Sequence, residues 1–99
     1  MTFGLRAAFI LMRNHINGFG GKRPRCNTIF SLISVWAPSI ENDSYRYAQT
    51  VAEKSGISMF EVIDFRNRAL MVKILRAMAY VECGLWLEES QFLAAYDLI

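Results

Sequence analysis

Glu82 is the residue of this chain whose type and setting best fit acid chemistry. It lies near the end of a long apolar segment, close to Tyr80, Leu85 and Trp86. A carboxylic acid in apolar surroundings can protonate the oxygen of a leaving group, and aromatic rings are surfaces on which sugars stack. The pattern is therefore compatible with a glycosidase or lytic transglycosylase. The simpler interpretation, which we favour, is a solvated glutamate near the end of a helix.

A glycoside hydrolase also needs a second carboxylate beside the scissile bond. Glu41, Asp43 and Asp64 are candidates, but only the fold can bring one of them near Glu82. Asn42 and Asp43 also suit a helix start, since short polar side chains cap free amides and a negative charge favours the positive end of the helix dipole. We favour capping, and keep Glu41 and Asn42 as candidates for the wall of a cleft.

A basic segment, GKRPRCN, places Lys22, Arg23 and Arg25 close together. These cations could hold phosphate groups or an acidic protein surface, although a solvated loop is the simpler interpretation. Few aromatic residues are interleaved with them and the net charge is only +2, which argues against a nucleic acid partner. The neighbouring cations would make the Cys26 thiol somewhat reactive. His15 has no partner at a recognisable spacing, and is interpreted as a residue of a polar helix face.

Length and composition indicate one domain over residues 1–99. Hydrophobic residues make up 54% of the 99 and charged residues 20%, so there is ample apolar surface to bury and we expect a folded chain. The longest apolar run, AAFILM, is far shorter than the roughly 20 residues of a membrane span, and no signal peptide is evident. Cys26 and Cys83 match no metal spacing, and we expect free thiols, with a disulfide as the alternative. No metal site or cofactor is predicted.

The hydrophobic pattern predicts an all-α fold, a compact bundle of five or six short helices. Apolar residues recur at helical spacing in five segments, which are residues 3–16, 28–36, 44–55, 67–83 and 87–98. Gly18, Pro38, Gly56 and Gly84 are predicted to end helices, and Trp36 is interpreted as an anchor of the core.

One segment between these helices is less clear. Ser58 and Glu61 have the spacing of a capping box, which predicts a short helix or turn through Ile63. The overlapping FEVID, residues 60–64, is the one candidate strand. Asp64 or Asn67 is expected to begin the longest helix.

Three segments together resemble a phage virion structural protein family that is often compared with lysozyme-like domains. They are GLRAAFILMRNH, TIFSLISVWAPSIENDSYRYAQTVAEKSGIS and LMVKILRAMAYVECG. The most specific pieces are Trp36-Ala37-Pro38, Glu41-Asn42 and the series Tyr47, Val51-Ala52, Gly56-Ile57. The resemblance covers about residues 3–84 and implies a lysozyme-like helical subdomain.

The chain also departs from the family pattern. The Asn-rich segment that usually precedes the first helix is missing, and the family's His-Glu-Asn-Gly is replaced by Val81-Glu82-Cys83-Gly84. We therefore expect a shortened member that keeps the helical scaffold. The surface that the missing segment would cover is expected to be bare, and exposed apolar surface of that kind favours self-association.

These observations lead to three hypotheses about function. The first is a phage- or prophage-derived structural or accessory protein, in the virion or the bacterial host cytoplasm, which binds a second copy, another phage or host protein, or peptidoglycan without catalysis. The second is a peptidoglycan-cleaving muramidase or lytic transglycosylase with Glu82 as general acid. The third is a small phage-encoded inhibitor of a host protein. The candidate binding residues are Trp36, Glu41, Asn42, Tyr45, Trp86, Lys22, Arg23 and Arg25.

Overall fold

The computed structural model describes residues 4–36 and 44–99. Its elements are α1 (Leu5–Ile16), α2 (Gly18–Gly21), α3 (Ile29–Trp36), α4 (Ser44–Ser55), α5 (Arg68–Cys83) and α6 (Glu89–Asp97). All regular structure in these two ranges is helical, which confirms the predicted all-α class and the number of helices. The candidate strand at residues 60–64 is instead a turn followed by irregular chain.

α5 is the central helix. It packs against α4 on one side and α6 on the other, while α3 packs on α4 and α1 packs on α6. The largest fully buried side chains form one core, and they are Phe9, Met12, Ile16, Ile29, Leu32, Ile33, Ile63, Met71, Ile74, Leu75, Met78 and Phe92. Tyr96 links α6 to α1, because its ring lies 5.5 Å from that of Phe9 on α1. No helix of the described ranges is long and apolar enough to cross a membrane.

The spacing of residues 3–16 predicts an apolar face made of Ala7, Ile10, Leu11 and Met12, together with Phe3, which lies outside the described ranges. The buried face of α1 differs from this one. Ala7 and Leu11 are exposed, and the residues that α1 buries are Ala8, Phe9, Met12 and Ile16. Because residues 7–12 are apolar on all sides of the helix, periodicity alone does not select a face, and contact with α3 and α6 decides it. The pattern of residues 87–98 also predicts that Leu98 belongs to the apolar face of the last helix. Leu98 instead follows the end of α6 at Asp97 and is 70% exposed.

The ends of α5 follow the predicted capping chemistry. The side-chain oxygen of Asn67 accepts a 3.2 Å hydrogen bond from the Leu70 amide, as an N-cap residue does. Gly84 has a φ of 72°, and its amide donates a 2.8 Å bond to the carbonyl of Tyr80. Of the two alternatives predicted for the segment that begins at Ser58, the structure has the turn, which the Glu61 amide closes with a 3.1 Å bond to the Ser58 carbonyl.

α2 is an unusual element because its backbone is left-handed. Gly18, Gly20 and Gly21 have φ values of 66°, 71° and 90°, and Phe19 between them has a φ of 52°. A bulky residue in this region is strained, since its Cβ lies too close to the backbone. The turn reverses the chain after α1 and leads it back along the end of that helix.

Candidate functional site

Three exposed aromatic rings from separate parts of the chain lie in contact. They belong to Phe30 on α3, Tyr45 on α4 and Phe60 in the segment between α4 and α5, and we call them the aromatic face. The ring centroid of Phe30 is 6.3 Å from that of Tyr45 and 5.5 Å from that of Phe60. The three residues are 36%, 54% and 64% exposed. Contiguous exposed rings of this kind are typical of binding surfaces.

Backbone hydrogen bonds fix the position of Phe60 against α3. The Phe30 amide donates a 2.9 Å bond to the carbonyl of Met59, and the Ile63 amide donates a 2.7 Å bond to the carbonyl of Asn27. Ile63 is fully buried and anchors the segment in the core. The ring of Phe60 is therefore held next to that of Phe30 by the fold.

A second surface is a groove of about 540 Å³ between α1, α2 and α3, which we call the basic groove. Its lining residues are His15, Phe19, Arg23, Pro24, Cys26, Ser34 and Val35. The Arg23 guanidinium lies 5.0 Å from the centre of the Phe19 ring, and the His15 ring meets that ring edge-on at 4.9 Å. Partial burial, and next the charge of Arg23, lower the pKa of His15.

Backbone contacts with the end of α1 set the shape of the basic groove. The Arg23 amide donates to the carbonyl of Gly18 at 3.0 Å, and the Cys26 amide donates to that of His15 at 2.9 Å. The Arg25 side chain donates a 3.2 Å bond to the carbonyl of Ile16. Of the three predicted basic residues, only Arg23 therefore lines the groove, while Arg25 caps α1 and Lys22 is exposed beside them.

Trp86 belongs to a third surface, made of cations stacked on aromatic rings. The guanidinium of Arg76 lies 4.5 Å from the Trp86 ring centre, the ammonium of Lys54 lies 5.0 Å from that of Tyr80, and the two rings are 5.8 Å apart. Arg76 is also bonded to the Leu87 carbonyl at 2.7 Å. Shallow grooves of about 200 and 330 Å³ adjoin this stack.

Glu82 is exposed and is held by α4. The buried Tyr47 hydroxyl donates a 2.9 Å hydrogen bond to its carboxylate. Burial raises the pKa of Tyr47, and the bond to Glu82 raises it further, so this phenol stays a donor. Glu82 and Tyr80 point about 160° apart around α5. Glu82 lines neither of the two grooves beside Trp86, and Tyr80 lines the larger one. The structure thus separates the candidate acid from the aromatic wall that the sequence placed beside it.

The remaining candidates have varied surroundings. Trp36 is half-buried against the core, in keeping with its interpretation as an anchor. Tyr45 is part of the aromatic face. The predictions for Glu41 and Asn42 concern residues outside the described ranges, and so does the cap at Asp43.

Asp64 pairs with Arg66 at 2.8 Å, and this side-chain bond lowers the pKa of Asp64 to about 2.

Sequence reasoning missed the residues that complete these surfaces. The exposure of Phe30 could have been predicted, since this apolar residue lies off the buried stripe of Ile29 and Ile33. No residue pattern indicates that Phe60 would meet Phe30, or that His15 and Phe19 would meet Arg23, because these contacts depend on chain reversals between helices.

Both cysteines are free and partly exposed, as expected. The described residues contain no group of three or more His, Cys, Asp or Glu side chains arranged to hold a metal. Comparisons of the chain with protein-family models, with curated proteins and with solved structures give no match.

Proposed function

We propose that this chain is a non-catalytic structural or accessory protein of phage or prophage origin, and that it assembles with a second copy of itself through the aromatic face. The phage origin rests on the sequence resemblance centred on Trp36-Ala37-Pro38. The single observation that carries the assembly role is the contact of the exposed Phe30 ring with the exposed rings of Tyr45 and Phe60, from three segments of the fold.

Two features favour a second copy as the partner. The net charge of +2 is small, so two identical chains repel each other only weakly. A self-complementary contact about a two-fold axis would also place both aromatic faces together and cover all six rings at once.

The magnitude of the gain indicates a weak dimer. Covering a ring that is already half-buried contributes roughly 1 kcal/mol, so six rings contribute on the order of 6 kcal/mol. This is comparable to the roughly 4–15 kcal/mol lost in translational and rotational freedom on association. Further contacts around the rings must supply the remainder, since a micromolar dissociation constant requires a net gain of about 8 kcal/mol.

Aromatic ¹H–¹³C NMR over a dilution series tests where the contact lies. We expect the ring signals of Phe30, Tyr45 and Phe60 to shift with concentration along one binding curve. Phe92 in the core serves as the buried control, and Trp86, 46% exposed on another surface, as the exposed control. Concentration-dependent shifts at Trp86 and none at the aromatic face would contradict the proposal.

The enzymatic alternative makes a different prediction. A muramidase or lytic transglycosylase with Glu82 as general acid would release soluble muropeptides from purified peptidoglycan, and the Glu82→Gln variant would not. A non-catalytic protein releases none in either form. Release by the wild type alone would replace our proposal with that enzyme.

A further inference from the structure

We infer that the basic groove is a binding site for a small organic anion with an apolar body, of which an aromatic carboxylate is the simplest member. This inference is independent of assembly through the aromatic face. It rests on the size of the groove, on the chemistry of its walls and on a guanidinium, that of Arg23, which pairs with no carboxylate in the described ranges.

The size and lining fit a small ligand. A volume of about 540 Å³ lies within the roughly 300–1,000 Å³ of small-molecule sites. Phe19, Pro24 and Val35 provide apolar walls, and Val35 is 44% exposed with its side chain open to an occupant. His15, Arg23, Cys26 and Ser34 supply the polar part of the lining. The Ser34 hydroxyl donates a 2.7 Å bond to the Phe30 carbonyl, so Arg23 and His15 are the main polar groups that face an occupant.

Arg23 supplies the positive charge that selects an anion. Three other arginines of the described ranges form ion pairs, which are Arg66 with Asp64, Arg68 with Asp97 and Arg76 with Glu89. Arg23 has no such carboxylate partner within those ranges; its guanidinium stacks on Phe19 instead. A guanidinium has five N–H donors that match a carboxylate, and those of Arg23 remain available.

The fold holds the Phe19 ring, the aromatic wall of the basic groove, in place before a ligand binds. Phe19 is the one residue other than glycine with a positive φ in the described ranges, and such strained residues cluster at ligand sites. The left-handed turn places its ring between His15 and Arg23, at 4.9 and 5.0 Å. A flat apolar ligand can therefore pack along this wall while its carboxylate faces Arg23.

The probe is naphthalene-2-carboxylate, followed through the ring signals of His15, the only histidine of the chain. We expect saturable shifts with the carboxylate and none with naphthalene-2-carboxamide, which has the same shape without the charge. Arg23→Gln should weaken binding by about tenfold or more, as expected for a lost charge-assisted bond. Lys22→Gln removes the same charge from the neighbouring position and should leave the affinity within about twofold.

The two cysteines give a second measurement that needs no variant. Cys26 lines the groove and Cys83 lies at the end of α5. The carboxylate should slow alkylation of Cys26 by iodoacetamide, and leave the rate at Cys83 unchanged. The inference is overturned if the carboxylate gives no saturable shift at millimolar concentration, if the carboxamide binds equally well, or if Cys26 is not protected. Phe60→Ser should bind the carboxylate normally, which separates this result from the test of assembly.

Discussion

Arg23 and Lys22 are neighbours in the sequence, but only Arg23 lines the basic groove beside His15. We expect this difference to appear in the pKa of His15. Burial is the larger cause of the lowered pKa of His15, and the charge of Arg23 is the second. Arg23→Gln should therefore raise that pKa part of the way towards its ordinary value, and Lys22→Gln should raise it less. A pH titration of the His15 ring by NMR measures both. Equal effects would mean that the Arg23 side chain does not act from within the groove.

The sign of the His15 shift also predicts how stability depends on pH. Because the folded pKa is lowered, the folded chain binds fewer protons than the unfolded chain near the ordinary histidine pKa of about 6.5. The contribution of His15 to stability is thus full above that pH and is lost as the pH falls below it. Urea unfolding of the wild type and of His15→Gln on both sides of this pH should show a steeper acid loss for the wild type.

Replacing Tyr47 by Phe tests the hydrogen bond between α4 and α5, and the same replacement at Tyr45 is the control. Tyr47→Phe removes the 2.9 Å bond to Glu82 and should lower the free energy of unfolding by about 1 kcal/mol, since the carboxylate is exposed. Tyr45 is 54% exposed, and Tyr45→Phe should change stability by less than about 0.5 kcal/mol. Chemical denaturation measures both variants. A loss of equal size in both would contradict a structural role for the Tyr47 bond.

At the scale of the elements, α2 is the feature that positions the basic groove. Gly20→Ala should cost about 1 kcal/mol, because an L side chain is disfavoured at a φ of 71° and meets no neighbour there. Gly18→Ala should cost clearly more, since its Cβ would collide with the carbonyl oxygen of Arg23. Urea denaturation compares the two variants. Equal costs would indicate that the chain reversal is looser than the structure shows.

The sequence predicted individual helices better than their mutual arrangement. α3, α4 and α5 lie within a residue of the predicted segments, because an apolar stripe and a glycine or polar cap mark each one. α1 was placed correctly but its buried face was wrong, since its apolar residues surround the helix. The turn that brings Phe60 to Phe30 depends on backbone bonds from Phe30 and Ile63, and backbone bonds leave little trace in residue types.

At the scale of the whole molecule, the candidate residues divide among separate surfaces. Tyr45 belongs to the aromatic face, Arg23 to the basic groove and Trp86 to the stack with Arg76. Glu82 lies apart from the last of these. The sequence alone does not show which candidates lie together, because distances across a helical bundle cannot be read from spacing along the chain.

The measurement that tests the assembly role most directly is the mass of the chain in solution by light scattering, from low to high micromolar concentration. Phe60→Ser removes a ring of the aromatic face, and Leu98→Ser removes a side chain of similar exposure, 70% against 64%, outside it. We predict a wild-type mass that rises towards that of a dimer, a monomeric Phe60→Ser and a Leu98→Ser that follows the wild type. A wild type that stays monomeric throughout, or two variants that dissociate equally, would contradict assembly through the aromatic face.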